Sequence, residues 1–198
     1  MQTPTHAILA LALLAKNGDT KRNRIILAGS LIPDLFIYIC WIWLSAHGLS
    51  QETIWNEIYF QSSVQFWSGF SNSIPMYSAL ALLGYTQRKT KWGLLLLVFA
   101  LAALSHMATD FPFHAEDAHQ HFWPLTTWKF HSPLSYWDSN HYGRIVGGFE
   151  TLLALSCIAL LLKRLTGKKT QTVLKIFFGL YLLSLIVRLS FWFGFLGG

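Results

Sequence analysis

His106 and Asp110 stand four positions apart in the run LSHMATDFPFH. On a helix that spacing puts an imidazole and a carboxylate on one face, where both can close on a single cation. Pro112 then disfavours helical geometry at Phe111 and ends the segment. The following piece, HAEDAHQHF, supplies His114, Glu116, Asp117, His119 and His121. Restarted as a helix, it places His114, Asp117 and His121 on one face at i, i+3 and i+7, with Glu116 and His119 turned elsewhere. Two further candidates lie far away in sequence, His6 near the start and Asp34 directly after Pro33 in SLIPDLF.

Imidazole and carboxylate donors without thiolates suit a divalent ion, Zn²⁺ first, with Mn²⁺ or Fe²⁺ as alternatives. The metal candidates are His6, Asp34, His106, Asp110, His114, Asp117, His119 and His121. These exceed what one tetrahedral ion uses, so the chain has donors for one ion or two. A pair of ions can activate water and clamp both oxygens of a displaced phosphoryl or acyl group. Asp117 or Glu116 is then the candidate general base. Plainer readings stand beside this one. Asp34 and His6 can pin two helices by a hydrogen bond, and HAEDAHQH can be a solvated loop tip. His47, His131 and His141 read as interfacial, and Ser132 and Ser135 have no acid–base partner in a nucleophile motif.

The elements that must position these residues are apolar. The 198 residues are 53% hydrophobic, 16% aromatic and only 12% charged, where a water-soluble domain averages about 25% charged. Several runs approach the roughly 20 apolar residues that cross a bilayer. An ionisable side chain inside such a run costs roughly 2.5–3.5 kcal/mol on insertion scales, and persists when paired, solvated or bound. The expected class is an all-α, multi-pass transmembrane bundle in one integral-membrane domain over residues 1–198. Four or five spans are expected, at 25–47, 74–85, 92–110, 145–162 and 173–195. A helix over AILALALLA, too short to span, starts at Thr3-Pro4-Thr5 with a hydroxyl as its cap. Elements of the metal site fall within 1–125, and the C-terminal spans within 145–196.

The net charge of +6 does not indicate nucleic acid. Its cations form three groups in short connections: Lys16 to Arg24, Arg88 to Lys91, and Lys163 to Lys175. Such groups mark the cytoplasmic ends of spans, whereas a phosphate-binding groove gathers its cations on one face. Alternation then sends 48–70 and 111–143 to the outer side, and both segments carry many aromatics suited to the headgroup layer. The bilayer is the expected partner, with a lipid or phosphoester as the candidate substrate. Cys40 and Cys157 lie in apolar runs and suggest neither a disulfide nor a thiolate site. Arg188 is expected to snorkel or to pair with Glu150.

Taken together, THAILALAL, GSLIPDLF and LSHMATDFPFH resemble the bacterial membrane-bound metal-dependent hydrolases. That family is distantly similar to zinc-dependent phospholipase C and P1-type nucleases, which are all-α with a metal cluster. The likeness covers roughly residues 1–125. It implies an inner-membrane hydrolase with His6, Asp34, His106, Asp110 and His114 as metal ligands. The family also has a histidine at the head of the third span, where this chain reads Ser71-Asn72-Ser73. A rival reading is a protein whose ion only staples its helices. A translocator is a third, but it needs acids along several spans, and here the last two hold only Glu150 and Arg188 as charged residues away from their basic ends.

Overall fold

A computed structural model describes residues 1–192 and is all-α among them. The expected end of the last span, between 193 and 196, lies outside the described residues. The helices are α1 (Thr3–Leu14), α2 (Thr20–Ala46), α3 (Gln51–Thr53), α4 (Ser62–Ser71), α5 (Ile74–Thr86), α6 (Lys91–Asp110), α7 (Gly143–Arg164) and α8 (Lys168–Trp192). A π-helical turn over Ile54–Ile58 joins α3 toward α4, and a 3₁₀ turn at Ser139–His141 precedes α7.

Four helices are long and apolar enough to cross a membrane: α2, α6, α7 and α8, the last through Phe191. The expected span at 74–85 is the 13-residue α5, about 20 Å long at helical rise and short of the ~30 Å hydrocarbon core. It packs along α6 as a hairpin. At Gly84 an added Cβ would fall 2.5 Å from the backbone nitrogen of Leu97, so only glycine permits this approach.

The N-terminal α1 does not span: its 12 residues reach about 18 Å. It sits inside the bundle, against α2, α6 and α7. In lipid there is little hydrophobic force between helices, so close packing of small residues has to hold them. Ala10, Ala102 and Ala154, from α1, α6 and α7, are each fully buried in one core. A helix ending inside a bundle must also satisfy its last carbonyls. Arg164 Nη2 donates to the oxygens of Leu11 and Ala12 at 2.7 Å, and Arg22 Nε donates to Leu14 at 3.0 Å. Guanidinium charge at a helix C-terminus is also favourable to the dipole. At the other end Pro4 occupies the first turn as expected, but no side chain caps the helix. The Thr3 hydroxyl is engaged elsewhere, on Asp34.

These contacts gather the basic groups at one end of the bundle, where α1 finishes and α2 begins. The 111–138 segment and the helical turns of 50–71 close the opposite end. Pro33 does not break α2, which runs continuously for 27 residues. Where α2 crosses α6, a Cβ on Gly29 would lie 2.3 Å from the Phe99 carbonyl oxygen, so the two backbones touch there.

Candidate metal centre

The crossing of α2 and α6 fixes the first half of the site. Counted from the last basic residue before it, Asp34 is expected to lie shallower than His106. Helix α2, however, starts at Thr20 and carries Lys21, Arg22 and Arg24 in its own first turns. Asp34 and His106 are therefore nearly equal distances along their helices, about 21–23 Å at 1.5 Å per residue. Asp34 Oδ1 lies 3.4 Å from His106 Nε2. No unusual kink or tilt is needed to bring them together.

Asp110 is the hub. His106 Nε2 lies 2.9 Å from its Oδ2, while His6 Nε2 and His114 Nε2 lie 2.9 and 3.2 Å from its Oδ1. The α-ammonium of Met1 is 2.5 Å from Oδ1. The rings of His6 and His106 stack with centroids 3.7 Å apart. Two triads capable of holding a metal ion result, His6–His106–Asp110 and Asp110–His114–His119, with donor atoms within 4.8 Å of one another. They share Asp110, and all five residues are buried.

The outward ring nitrogens are consistent in their bonding. His106 Nδ1 donates to the Ser30 carbonyl at 2.8 Å, and His114 Nδ1 to Asp117 Oδ2 at 2.9 Å. Neither acceptor has a proton to give, so both rings carry hydrogen on Nδ1, and in the neutral ring Nε2 is left with the lone pair that a metal ion would take. His6 Nδ1 meets Thr109 Oγ1 at 2.9 Å, whose own hydroxyl hydrogen is directed to helix carbonyls. His119 Nδ1 pairs with Ser68 Oγ at 3.2 Å. Bonding one nitrogen outward so that the other faces inward is the usual second layer around metal-ligating histidines. The buried Nε2 atoms of His106 and His114 have no hydrogen-bond partner of their own. Imidazole lone pairs facing carboxylate oxygens repel one another unless a proton or a cation stands between them. The donor set thus fits a hard or borderline divalent ion.

The other expected residues take different places. The segment after Pro112 does not restart a helix; it folds in turns up to Ser139. Its backbone bonds instead to the returning chain, with Ser132 N–H donating to the His114 oxygen at 3.0 Å and Tyr136 N–H to Phe113 at 3.3 Å. The helical face proposed for His114, Asp117 and His121 is therefore lost, and His119 turns inward. His121 is buried, with its Nδ1 donating to the Asn72 carbonyl at 3.2 Å, and belongs to neither triad. Asp117 touches His114 and accepts from Trp137 Nε1 at 3.1 Å, also outside the triads. Glu116 is exposed. His47, His131 and His141 bond to Trp43, Ala115 and Asp138, away from the centre.

Asn72 stands where a histidine is expected and is wholly buried. Its Nδ2 donates to the Pro33 and Ser68 carbonyls, tying α2 to the end of α4. Its Oδ1 is buried without a partner. Glu150 and Arg188 line one cavity but form no ion pair among the described residues. Glu150 instead accepts from the Gln2 backbone at 2.7 Å, and the Arg188 guanidinium lies against Gly147.

A cavity of about 380 Å³ opens beside the second triad, lined by Asp34, His114, Asp117 and His119 together with Tyr59 and Tyr136. Burial alone would lower the His114 imidazole, but the Asp110 and Asp117 carboxylates outweigh it and hold it up at about 9. Burial, then the cationic His114 beside it, pushes His119 down to about 3. Burial favours the neutral acid of Asp117, yet the His114 contact wins and brings it to about 2. Burial, then the nearby acids, raises the phenols of Tyr59 and Tyr136, so both remain donors.

The Ser30 carbonyl, Thr109, Ser68 and Thr3, which bond His106, His6, His119 and Asp34, are not among the expected site residues. A signal existed for two of them. Gly29-Ser30 is a small pair one turn before Asp34, and Thr109 stands between His106 and Asp110 on the turn that carries both. Four long apolar helices around buried His/Asp clusters are consistent with a metal-binding membrane protein. No family model, curated protein or solved structure matches the chain.

Proposed function

We propose that the protein is a metal-dependent hydrolase embedded in the bacterial inner membrane, acting on a phosphoester or other ester at the outer membrane–water interface. The observation that carries this reading is the shared carboxylate: Asp110 joins a sealed triad to one that lines a cavity. The likeness of THAILALAL, GSLIPDLF and LSHMATDFPFH to the membrane-bound metal-dependent hydrolases points the same way. His6, His106, Asp110, His114 and His119 would hold the metal, with Asp34 at the edge of the set.

A bound divalent ion supplies Lewis acidity to an attacking water and to the substrate oxygen. The remaining work falls to the chain. Asp117 Oδ1 is buried, unpartnered and part of a residue that lines the cavity. Asp117 is a carboxylate of the cavity that stays outside both triads, which leaves it free to take a proton from an attacking water. In hydrolysis the water oxygen bonds to phosphorus or acyl carbon and one water proton passes to Asp117. The bond to the leaving oxygen breaks, and that oxygen takes the proton from Asp117. Tyr136, a phenol that lines the same cavity, would donate to the developing charge. Exposed Glu116 lines no part of the cavity, so Asp117 is the base in this scheme.

One observation favours a second reading, an ion that only staples helices. His6, His106 and Asp110 are each at most 1% exposed and bridge α1 to α6. Metal analysis of detergent-purified protein, wild type against His106→Ala and Asp34→Asn, separates the cases. The hydrolase retains divalent metal, loses it in His106→Ala, and cleaves generic phosphodiesters or esters only when loaded. Metal retention with no hydrolysis of any such substrate favours the staple. A wild type free of metal after purification and unable to take it up sinks both.

A further inference from the structure

A second cavity, about 680 Å³, runs along the membrane-embedded flank between α1, α2 and α8. Its walls are hydrocarbon over most of their length: Ala7 and Leu11 from α1, Leu27 and Leu31 from α2, Val173 and Phe177 from α8. It exists because α8 packs chiefly on α7 and meets α1 through the Tyr181–Thr5 hydroxyl pair at 2.8 Å. Polar residues appear at its ends only. Lys169 and Thr170 lie at the basic end, and Thr3 and Tyr38 at the other.

That second end is where the groove meets the metal centre. Thr3, Pro4 and Tyr38 line both the groove and the 380 Å³ cavity that holds Asp34, His114 and Asp117. At this junction the Tyr38 hydroxyl donates to Thr3 Oγ1 at 2.9 Å, and Thr3 donates on to Asp34. From Leu27 to Tyr38 the groove extends along α2 for about 16 Å at helical rise, close to half of the ~30 Å hydrocarbon core. The polar chamber with its His/Asp wall and the apolar groove therefore adjoin at Thr3, Pro4 and Tyr38, and the groove runs from there about the depth of one leaflet.

Resting on the hydrolase reading, we propose that the substrate is a bilayer lipid with a phosphoester headgroup. It enters sideways, seating its headgroup beside Asp34 and His114 and one hydrocarbon chain in the groove between α1, α2 and α8. A water-soluble substrate would need only the chamber. The uninterrupted apolar wall that leaves from Thr3 and Tyr38 matches a chain covalently joined to the group at the metal.

Two measurements on the purified full chain test this. The first uses vesicles of a phospholipid with a photoreactive diazirine midway along its acyl chain, followed by peptide mapping. Labelling concentrated on the peptides bearing Leu31 and Val173, and lost from both in Leu31→Trp, is the expected result. Even labelling of all lipid-facing helices, unchanged in that variant, overturns the proposal. The second compares turnover of long-chain phospholipid with that of a water-soluble aryl phosphodiester. Filling the groove by Leu31→Trp or Val173→Trp displaces several methylenes and lowers the lipid-to-soluble ratio about tenfold or more. Leu183→Trp, on the exposed face of α8 outside the groove, leaves the ratio as it is. An unchanged ratio in both groove variants overturns the proposal. If the wild type cleaves neither substrate the hydrolase reading fails, and the crosslinking pattern still decides whether a lipid chain occupies the groove.

Discussion

On the proposed reading, His114 is the residue at which protons and metal compete. Without metal its imidazole is held at about 9 by Asp110 and Asp117 against the opposing effect of burial. Because this value is raised above the ordinary 6.5, the charged contact stabilises the metal-free fold fully below pH 6.5. That contribution fades as pH climbs through about 9. Metal binding must displace the same proton, so metal affinity should rise with pH across this window. Zinc titration calorimetry at pH 7.5, in buffers of different ionisation enthalpy, is expected to register release of about one proton per ion at this site. Absence of proton release would remove His114 from the ligand set. Asp117→Asn takes away the partner that orients the ring, and such second-layer losses cost about 10–100-fold in metal affinity. The same change lowers the His114 value, so less proton is released at pH 7.5. Glu116→Gln, on an exposed side chain, is expected to alter neither quantity.

Among the elements, those with strong periodicity or a proline stop were legible from the residues alone, and those organised by tertiary bonding were not. Helix α6 ends at Asp110, just before Pro112, and His106 and Asp110 do share a face of it. Phe111, however, keeps helical geometry (φ −47°, ψ −44°) with its N–H on the Met107 carbonyl, against the expectation for a residue that precedes proline. The segment 113–121 has helical spacing in its histidines, but no local rule reveals that Ser132 and Tyr136 will take its carbonyls. Once those bonds form, the helical face disappears and His119, turned outward on a helix, comes inward. The meeting of Asp34 with His106 was likewise concealed by counting depth from basic residues that lie inside α2. Gly29 is the physical reason the meeting is close, since Phe99 and Ala102 leave no room for a Cβ. Gly29→Ala is therefore expected to destabilise the protein by about 1–3 kcal/mol through overpacking. It should also weaken metal retention by moving Asp34 away from His106. Thermal unfolding in detergent with and without added zinc measures both effects. A variant that melts like the wild type and holds its metal equally well would show that the crossing does not set the site.

At the scale of the whole molecule, the asymmetry of charge and the position of the site have to agree. Twelve of the fifteen Lys and Arg residues lie in the three basic groups, and those groups converge on the end where Arg164 and Arg22 cap α1. The candidate metal ligands converge on the other end, under the 111–138 segment and an aromatic shelf. There Phe66 and Trp123 meet edge to face at 5.4 Å, and Phe111 stacks on Phe130 at 4.8 Å. Rings of this kind favour the headgroup layer, in keeping with the proposed interfacial site. The C-terminal helices belong to this arrangement, because α7 holds the buried side of α1 and so fixes the depth of His6. Positive charge stays on the cytoplasmic side, so the site end should face outward. Cysteine introduced at Ser139 should react with a membrane-impermeant maleimide on intact cells, whereas cysteine at Thr90 should react only after the membrane is opened. Cys40 and Cys157, in α2 and α7, are replaced by serine beforehand to clear the background. The reverse labelling pattern would put the centre in the cytoplasm, and any lipid reaching it would then have to come from the inner leaflet.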